Sequence, residues 1–274
     1  MAQVDLNCDM GESFGIYKMG RDEDILPWIT SANVACGFHA GDPMVMDRTV
    51  ALAAANGVEV GAHPGFPDLM GFGRRTMECS PEEIRNYVIY QVGAAQGFCR
   101  AYGVKLQHVK VHGSLYNLSV RDESIFRVIA EAVAALEPSL LLVTLAGKHA
   151  EWMIQVAGEI GIPIALEGFP DRAYAGDGTL ISRRLPGAVI EDPEKVAQRA
   201  VQMVSQGSVT AVEGTVVPLS VDTLCIHGDN PRAVTLAESI RKALDAQGVE
   251  VLPMSRMIQR CMPRESVLES RLRK

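Results

Sequence analysis

Seven times along this chain a short apolar run gives way to a polar turn, and most of these turns lead on into a helix-like stretch. The clearest unit spans residues 31–43 and reads S-A-N-V-A-C-G-F-H-A-G-D-P. Its apolar run at 32–36 is followed by Gly37 and His39, then by Asp42-Pro43. A carboxylate at the N-cap with proline at the first helical position is common helix-opening chemistry. This is a strand, a tight loop and a helix start, with His39 just past the strand's carboxyl end. In parallel α/β folds that end is where ligands bind.

Equivalent runs lie at 4–6, 58–62, 109–111, 140–146, 164–166 and 223–226. Helices are expected over 17–30, 43–56, 81–102, 121–136 and 150–160, and from Asp192-Pro193 and Asn230-Pro231 onward. The third of these opens with a capping box, Ser80 to Glu83. A period-two stretch at 208–221 predicts a small hairpin, 249–252 an eighth strand, and the Gly- and Pro-rich 66–75 a loop across one end. Crossovers of constant hand curl such a series into a parallel, seven-stranded β/α barrel.

An open doubly wound sheet is the competing α/β arrangement, but it collects ligands at one switch point. Here polar groups end strands along the whole chain. They are Asn7, Asp9 and Glu12; His39; His63; Lys110 with His112; Glu167 with Asp171 and Arg172; and His227 with Asp229. One histidine in such a place is usually a packing or capping residue. Four of the chain's six histidines at equivalent strand ends are harder to explain that way. Arg74, Arg75, Arg183 and Arg184 lie in loops, either as solvated charges or as bidentate clamps for an anionic substrate.

With 274 residues, 47% of them apolar, the chain can bury one large core, and a single domain over 1–254 followed by a basic tail at 255–274 is expected. The net charge of −7 argues against nucleic acid or an anionic membrane as the main partner. Six scattered cysteines form no C-x-x-C pair, so Cys8, Cys36 and Cys225 read as small core residues. The amino terminus has no basic segment followed by an apolar one, and a cytoplasmic location is expected. Gly147-Lys148-His149 lacks the flanks of a Walker loop, and no G-x-G-x-x-G is present.

Several blocks resemble the LamB/YcsF family: D-L-N-C-D-M-G-E from Asp5, the 31–43 segment, G-A-H-P-G-F-P-D-L from Gly61, and G-F-G-R-R from Gly71. V-K-V-H-G-S-L-Y-N from Val109, E-G-F-P-D-R-A-Y from Glu167 and C-I-H-G-D from Cys225 complete the set. One departure is Val111, where the family usually has proline between the lysine and histidine. The resemblance implies a barrel similar to polysaccharide deacetylases. It also implies the activity of the family's characterised members, A subunits of bacterial 5-oxoprolinase: ATP-dependent opening of 5-oxo-L-proline to L-glutamate, with MgATP and partner B and C subunits.

A lactam is an unactivated amide, so ATP coupling implies phosphorylation of its oxygen before water attacks. On this reading Asp9, Glu12, Glu167 or Asp229 is the general base, and His39, His63, His112 or His227 the proton donor. Lys110 or Arg172 meets the substrate carboxylate, and Asn7, Arg74, Asp171 and His227 supply further contacts. No tightly bound metal is assigned. Two alternatives stand beside it: a metal-dependent amidohydrolase or deacetylase, and a non-catalytic lactam-binding subunit. The tail carries no assigned function beyond a surface or homo-oligomer contact.

Overall fold

The structure, a computed structural model, describes residues 1–258. Seven parallel strands close on themselves: β1 (Gln3–Met10), β2 (Ser31–Ala35), β3 (Glu59–His63), β4 (Leu106–Val109), β5 (Leu141–Leu145), β6 (Ile164–Gly168) and β9 (Thr223–His227). β9 completes the ring by pairing with both β6 and β1. β7 (Ser208–Thr210) and β8 (Val216–Pro218) form the expected antiparallel hairpin outside it. β10 (Glu250–Val251) pairs with the first residues of β1 and adds no eighth stave.

The helices are α1 (Asp22–Ile25), α2 (Pro43–Ala55), α3 (Pro81–Ala101), α4 (Gly113–Ser119), α5 (Glu123–Leu136), α6 (Ala150–Ile160), α7 (Pro193–Gln206), α8 (Ala233–Ala246) and α9 (Met254–Ile258). Their starts follow from local chemistry. The Asp42 carboxylate accepts from the backbone N–H of Met44 and Val45, Ser80 and Glu83 close a capping box, and Asp192 caps α7. The helix expected over 17–30 is only α1 and a 3-10 turn at Leu26–Trp28, because Gly20 sits at φ 75° and Pro27 interrupts the backbone bonding. β4 starts earlier than expected, at Leu106, while Lys110 and His112 continue its ladder through N–H bonds to the carbonyls of Ala62 and Pro64.

Along β1 the side chains alternate strictly. Val4, Leu6, Cys8 and Met10 pack outward into the helical shell, and Asp5, Asn7 and Asp9 point into the barrel, where they meet inward residues of β2, β4 and β9. α9 closes the amino end of the barrel, its buried Met254 packed on Leu141, Val143 and Ala165. The basic tail expected at 255–274 therefore overlaps α9 over 255–258, and its remainder lies outside the described residues. Among the described residues no helix is long and apolar enough to cross a membrane.

Candidate active site

The carboxyl ends of the strands open into a cavity of about 750 Å³. Asp9, His63, Lys110, His112 and His227 line it, together with Phe169, and Arg74, Arg121, Arg172, Arg183 and Arg184 contribute to its walls. Lys110 occupies the centre. Its Nζ lies 2.9 Å from Asp9 Oδ1, 2.8 Å from Glu167 Oε1, 3.0 Å from Cys225 Sγ and 3.3 Å from Asn7 Oδ1. Burial opposes the ammonium, but Asp9 foremost, then Cys225 and Glu167, hold its pKa well above the ordinary lysine value. Burial likewise opposes the Asp9 carboxylate, and the charges of His63 and Lys110 outweigh it and keep Asp9 well below the usual carboxylate range. Tyr116 donates its hydroxyl to Glu167 Oε2 at 3.0 Å.

At the next position round the ring, His227 Nδ1 is 2.8 Å from Asp171 Oδ2, and Phe169 stacks on its imidazole. His227 stands directly beside Asp9 in the β1–β9 ladder. On the other flank of Asp9 three imidazoles converge from β2, β3 and β4, with His63 Nε2 3.4 Å from Asp9 Oδ2. His63 Nδ1 lies 2.6 Å from the Lys110 carbonyl, and His112 Nε2 lies 2.9 Å from the Phe72 carbonyl. A carbonyl only accepts, so each of these nitrogens carries a proton. The other two nitrogens, His63 Nε2 and His112 Nδ1, face each other at 2.9 Å. His39 stacks on His112 and, fully buried, has no hydrogen-bond partner on either nitrogen. Burial, reinforced by neighbouring imidazoles, pushes the pKa of His39 and His112 well below the ordinary histidine value, so both are neutral.

Glu12 Oε1 is 3.9 Å from His39 Nε2 and 4.0 Å from His112 Nδ1. Burial, then Asp9 and Asp229, push its carboxyl well above the ordinary glutamate value. The loop expected at 66–75 supplies the wall here. Phe72 adopts φ 54°, rare outside glycine, and this aims its carbonyl at His112. Gly73, at φ 62°, leaves room for both rings, since a Cβ there would lie 2.7 Å from His39 Cβ and 2.8 Å from His112 Cδ2.

The predicted residues thus fall into two groups. Asp9, Lys110, Glu167, His227 and Asp171 form one, with Asn7 beneath them, and Glu12, His39, His63 and His112 the other, and the two meet where His63 Nε2 stands 3.4 Å from Asp9 Oδ2. Asp229 stands apart at the mouth, paired with Arg74 at 2.6 Å. Arg172 is half committed: its Nε and Nη2 donate to the carbonyls of Ala188 and Ile181, bracing the wall loop. Of the four loop arginines, Arg75 pairs with Asp68 and is not part of the lining. Cys225 is buried in the core as expected, and its thiol also meets the Lys110 ammonium at 3.0 Å.

Sequence reading missed Asp5, Asn33, His108, Tyr116 and Arg121. Asn33 Nδ2 donates to Asn7 Oδ1 and Asp9 Oδ1, and His108 Nε2 bonds Asn33 Oδ1 at 2.6 Å. The available signal was the period of two in Asp5-Asn7-Asp9, Ser31-Asn33 and His108-Lys110-His112. His108 and His112 also carry the H-x-x-x-H spacing of a helical metal pair, but on an extended strand that spacing separates them, and only His112 reaches the cluster.

Fold and site together define a β/α-barrel protein with a carboxylate–lysine–histidine centre at the carboxyl ends of its strands. The chain belongs to the LamB/YcsF family, whose model matches residues 4–259. It is 54% identical over 257 residues to the 5-oxoprolinase A subunit of Pyrococcus furiosus, covering 94% of this chain and 100% of that one. The corresponding A subunit of Syntrophobacter fumaroxidans 5-oxoprolinase is 56% identical over 252 residues, 92% of this chain and 98% of its own. Among solved structures, the lactam utilization protein from Thermus thermophilus superposes with a TM-score of 0.85 at 49% identity, covering 91% of this chain and 99% of that one.

Proposed function

We propose that this chain, as the A subunit of a cytoplasmic complex with B and C subunits, opens the lactam ring of 5-oxo-L-proline to L-glutamate at the expense of ATP. The observation that carries the reading is the Asp9–Lys110–Glu167 centre beside the His227–Asp171 pair on the floor of an arginine-lined cavity. The names of relatives that match nearly the whole chain point to the same reaction. Five arginines suit a ligand bearing a carboxylate and, once ATP has phosphorylated the lactam oxygen, a phosphate.

In this mechanism a first water adds at the lactam carbon and Asp9 accepts its proton. The C–N bond breaks as His227, oriented by Asp171, protonates the nitrogen. A second water releases phosphate from the resulting acyl phosphate, leaving glutamate. Lys110 is already held by two carboxylates, so its part is to keep Asp9 ionised, and the substrate carboxylate falls to the wall arginines.

The test is glutamate release from 5-oxoproline by the chain mixed with B and C subunits, with and without ATP, beside the chain alone. Release that needs ATP and all three subunits supports the reading, and none with all components present defeats it. Asp9→Asn and His227→Asn each lower kcat by about 10²- to 10⁴-fold with unchanged circular dichroism; wild-type rates in both would remove them from the mechanism. Amide hydrolysis by the chain alone is the result expected of a metal-dependent amidohydrolase, a second reading favoured by the facing imidazoles.

A further inference from the structure

Two imidazole nitrogens, one from His63 and one from His112, face each other beside His39, whose two buried ring nitrogens have no hydrogen-bond partner. Proton positions follow from the carbonyls behind them: His63 donates from Nδ1 to Lys110 and His112 from Nε2 to Phe72. That turns the second nitrogens, His63 Nε2 and His112 Nδ1, towards each other at 2.9 Å, with His63 Nε2 also 3.4 Å from Asp9 Oδ2. A proton or a metal ion satisfies such a pair, and the buried His39 beside it, with no partner on either nitrogen, favours the metal. A backbone carbonyl behind each ring, fixing tautomer and orientation, is the usual arrangement behind a metal-ligating histidine.

We propose that Glu12, His63 and His112, joined by His39, form a binding site for one first-row divalent transition-metal ion at the edge of the cavity floor. One donor atom from each of the four lies within 4.8 Å of the others. Ligand atoms about 2.0–2.1 Å from a tetrahedral zinc are roughly 3.3 Å apart, so small adjustments suffice. Three nitrogens and one carboxylate oxygen suit zinc, iron or nickel better than magnesium or calcium, which prefer oxygen. The His63 and His112 rings stand at 89° and meet edge to edge, whereas His39 lies parallel to His112 at 2° and must tilt to contribute. His63 and His112 are therefore the principal ligands and His39 the weakest.

The neighbouring trio Asp9, Cys225 and His227 is also close enough for a metal, but the Lys110 ammonium stands 2.9 Å from Asp9 Oδ1 and 3.0 Å from Cys225 Sγ, and repels one. Bound at the proposed site, an ion would supply Lewis-acid polarisation beside Asp9. The site goes beyond the lactam reading and is testable without substrate, ATP or partner subunits.

The experiment takes the full chain purified without chelator, strips it with dipicolinate, and titrates it with Zn²⁺ by calorimetry, with metal content checked by mass spectrometry. One equivalent of Zn²⁺ per chain is expected, with X-ray absorption showing a shell dominated by imidazole. His63→Ala and His112→Ala weaken binding by more than the roughly 10- to 100-fold typical of losing a group that only orients a ligand, and His39→Ala by less. Circular dichroism of the metal-free variants separates lost ligands from lost fold, and the absorption spectrum of the wild-type protein stands independently of any variant. Failure to bind a stoichiometric ion, or binding indifferent to both His63→Ala and His112→Ala, overturns the proposal. So does a nitrogen NMR spectrum of the zinc-treated protein that shows one proton shared between His63 and His112.

Discussion

The inner wall of this barrel has two unlike halves. On β1, β2, β4 and β9 the inward positions are Asp5, Asn7, Asp9, Ser31, Asn33, His108, Thr223 and Cys225, tied to one another and to Lys110 by hydrogen bonds. On β5 and β6 the inward row below Glu167 is Val143 and Ala165, closed off with Leu141 by Met254. Both halves are dry, so polarity here does not report solvent. The polar half is held by mutual pairing, where losing one member strands another. The apolar half is held by volume, where losing one member leaves a hole.

The largest effect comes from removing the ion at the centre of the polar half. Lys110→Met leaves Asp9 and Glu167 buried without a counter-charge, and a destabilisation of about 3–5 kcal/mol is expected in urea unfolding, together with loss of glutamate release. Adding Glu167→Gln removes one of the two stranded charges. The double variant recovers part of the stability and none of the activity. If Lys110→Met alone unfolds like the wild type, the polar half is not held by charge pairing.

The same contrast explains what could be read in advance. The strand–turn–helix units, helix caps and strand-end residues depend on local chemistry, and Asp42, Ser80 and Asp192 cap as their sequences demand. The strand-end histidines were visible one at a time. What joins His39, His63 and His112 is the β2–β3–β4 register, with Ala35 opposite His63 and Val109 opposite Ala62. Sequence spacing does not contain that register. The alternation V-D-L-N-C-D-M was legible as a half-polar strand, but such a strand normally turns its polar side to water. Only closure of the ring turns it inward, and His108 fits there because Gly61 opposite has no Cβ to occupy the space of its ring. α9 belongs to tertiary packing as well, since nothing in its five residues announces a barrel plug.

A smaller effect separates volume from charge. Met254→Ala takes a fully buried side chain from the apolar end and should cost about 2 kcal/mol, the low end for such a truncation, because a helix of five residues can settle into the space. Glutamate release by the folded protein stays at the wild-type rate, because Leu141, Val143 and Ala165, on which Met254 packs, do not line the cavity. A rate loss matching that of Lys110→Met would mean the two halves are coupled rather than merely adjacent.

The smallest effect lies at the bottom of the polar half, where burial raises the Asp5 carboxyl to about 6 against the bonds it accepts from Ser31, Thr223 and Thr30. A carboxyl raised in the folded state favours folding with its proton on. Its contribution is therefore complete below the unfolded value near 3.8 and is lost as pH rises towards about 6, with no further change above. Between about pH 5 and pH 7 the loss amounts to roughly 1 kcal/mol. His39 and His112 titrate in the opposite sense, since their lowered values favour the fold as pH rises, so the wild-type profile alone mixes the two. Asp5→Asn isolates the carboxyl: it keeps an oxygen for Ser31 and Thr30, and the Thr223 hydroxyl can accept where it now donates. Urea unfolding at the two pH values should show the variant gaining about 1 kcal/mol on the wild type at the higher one. An unchanged difference would mean that Asp5 stays ionised in the fold, held by its three hydroxyls as firmly as Asp9 is held by Lys110.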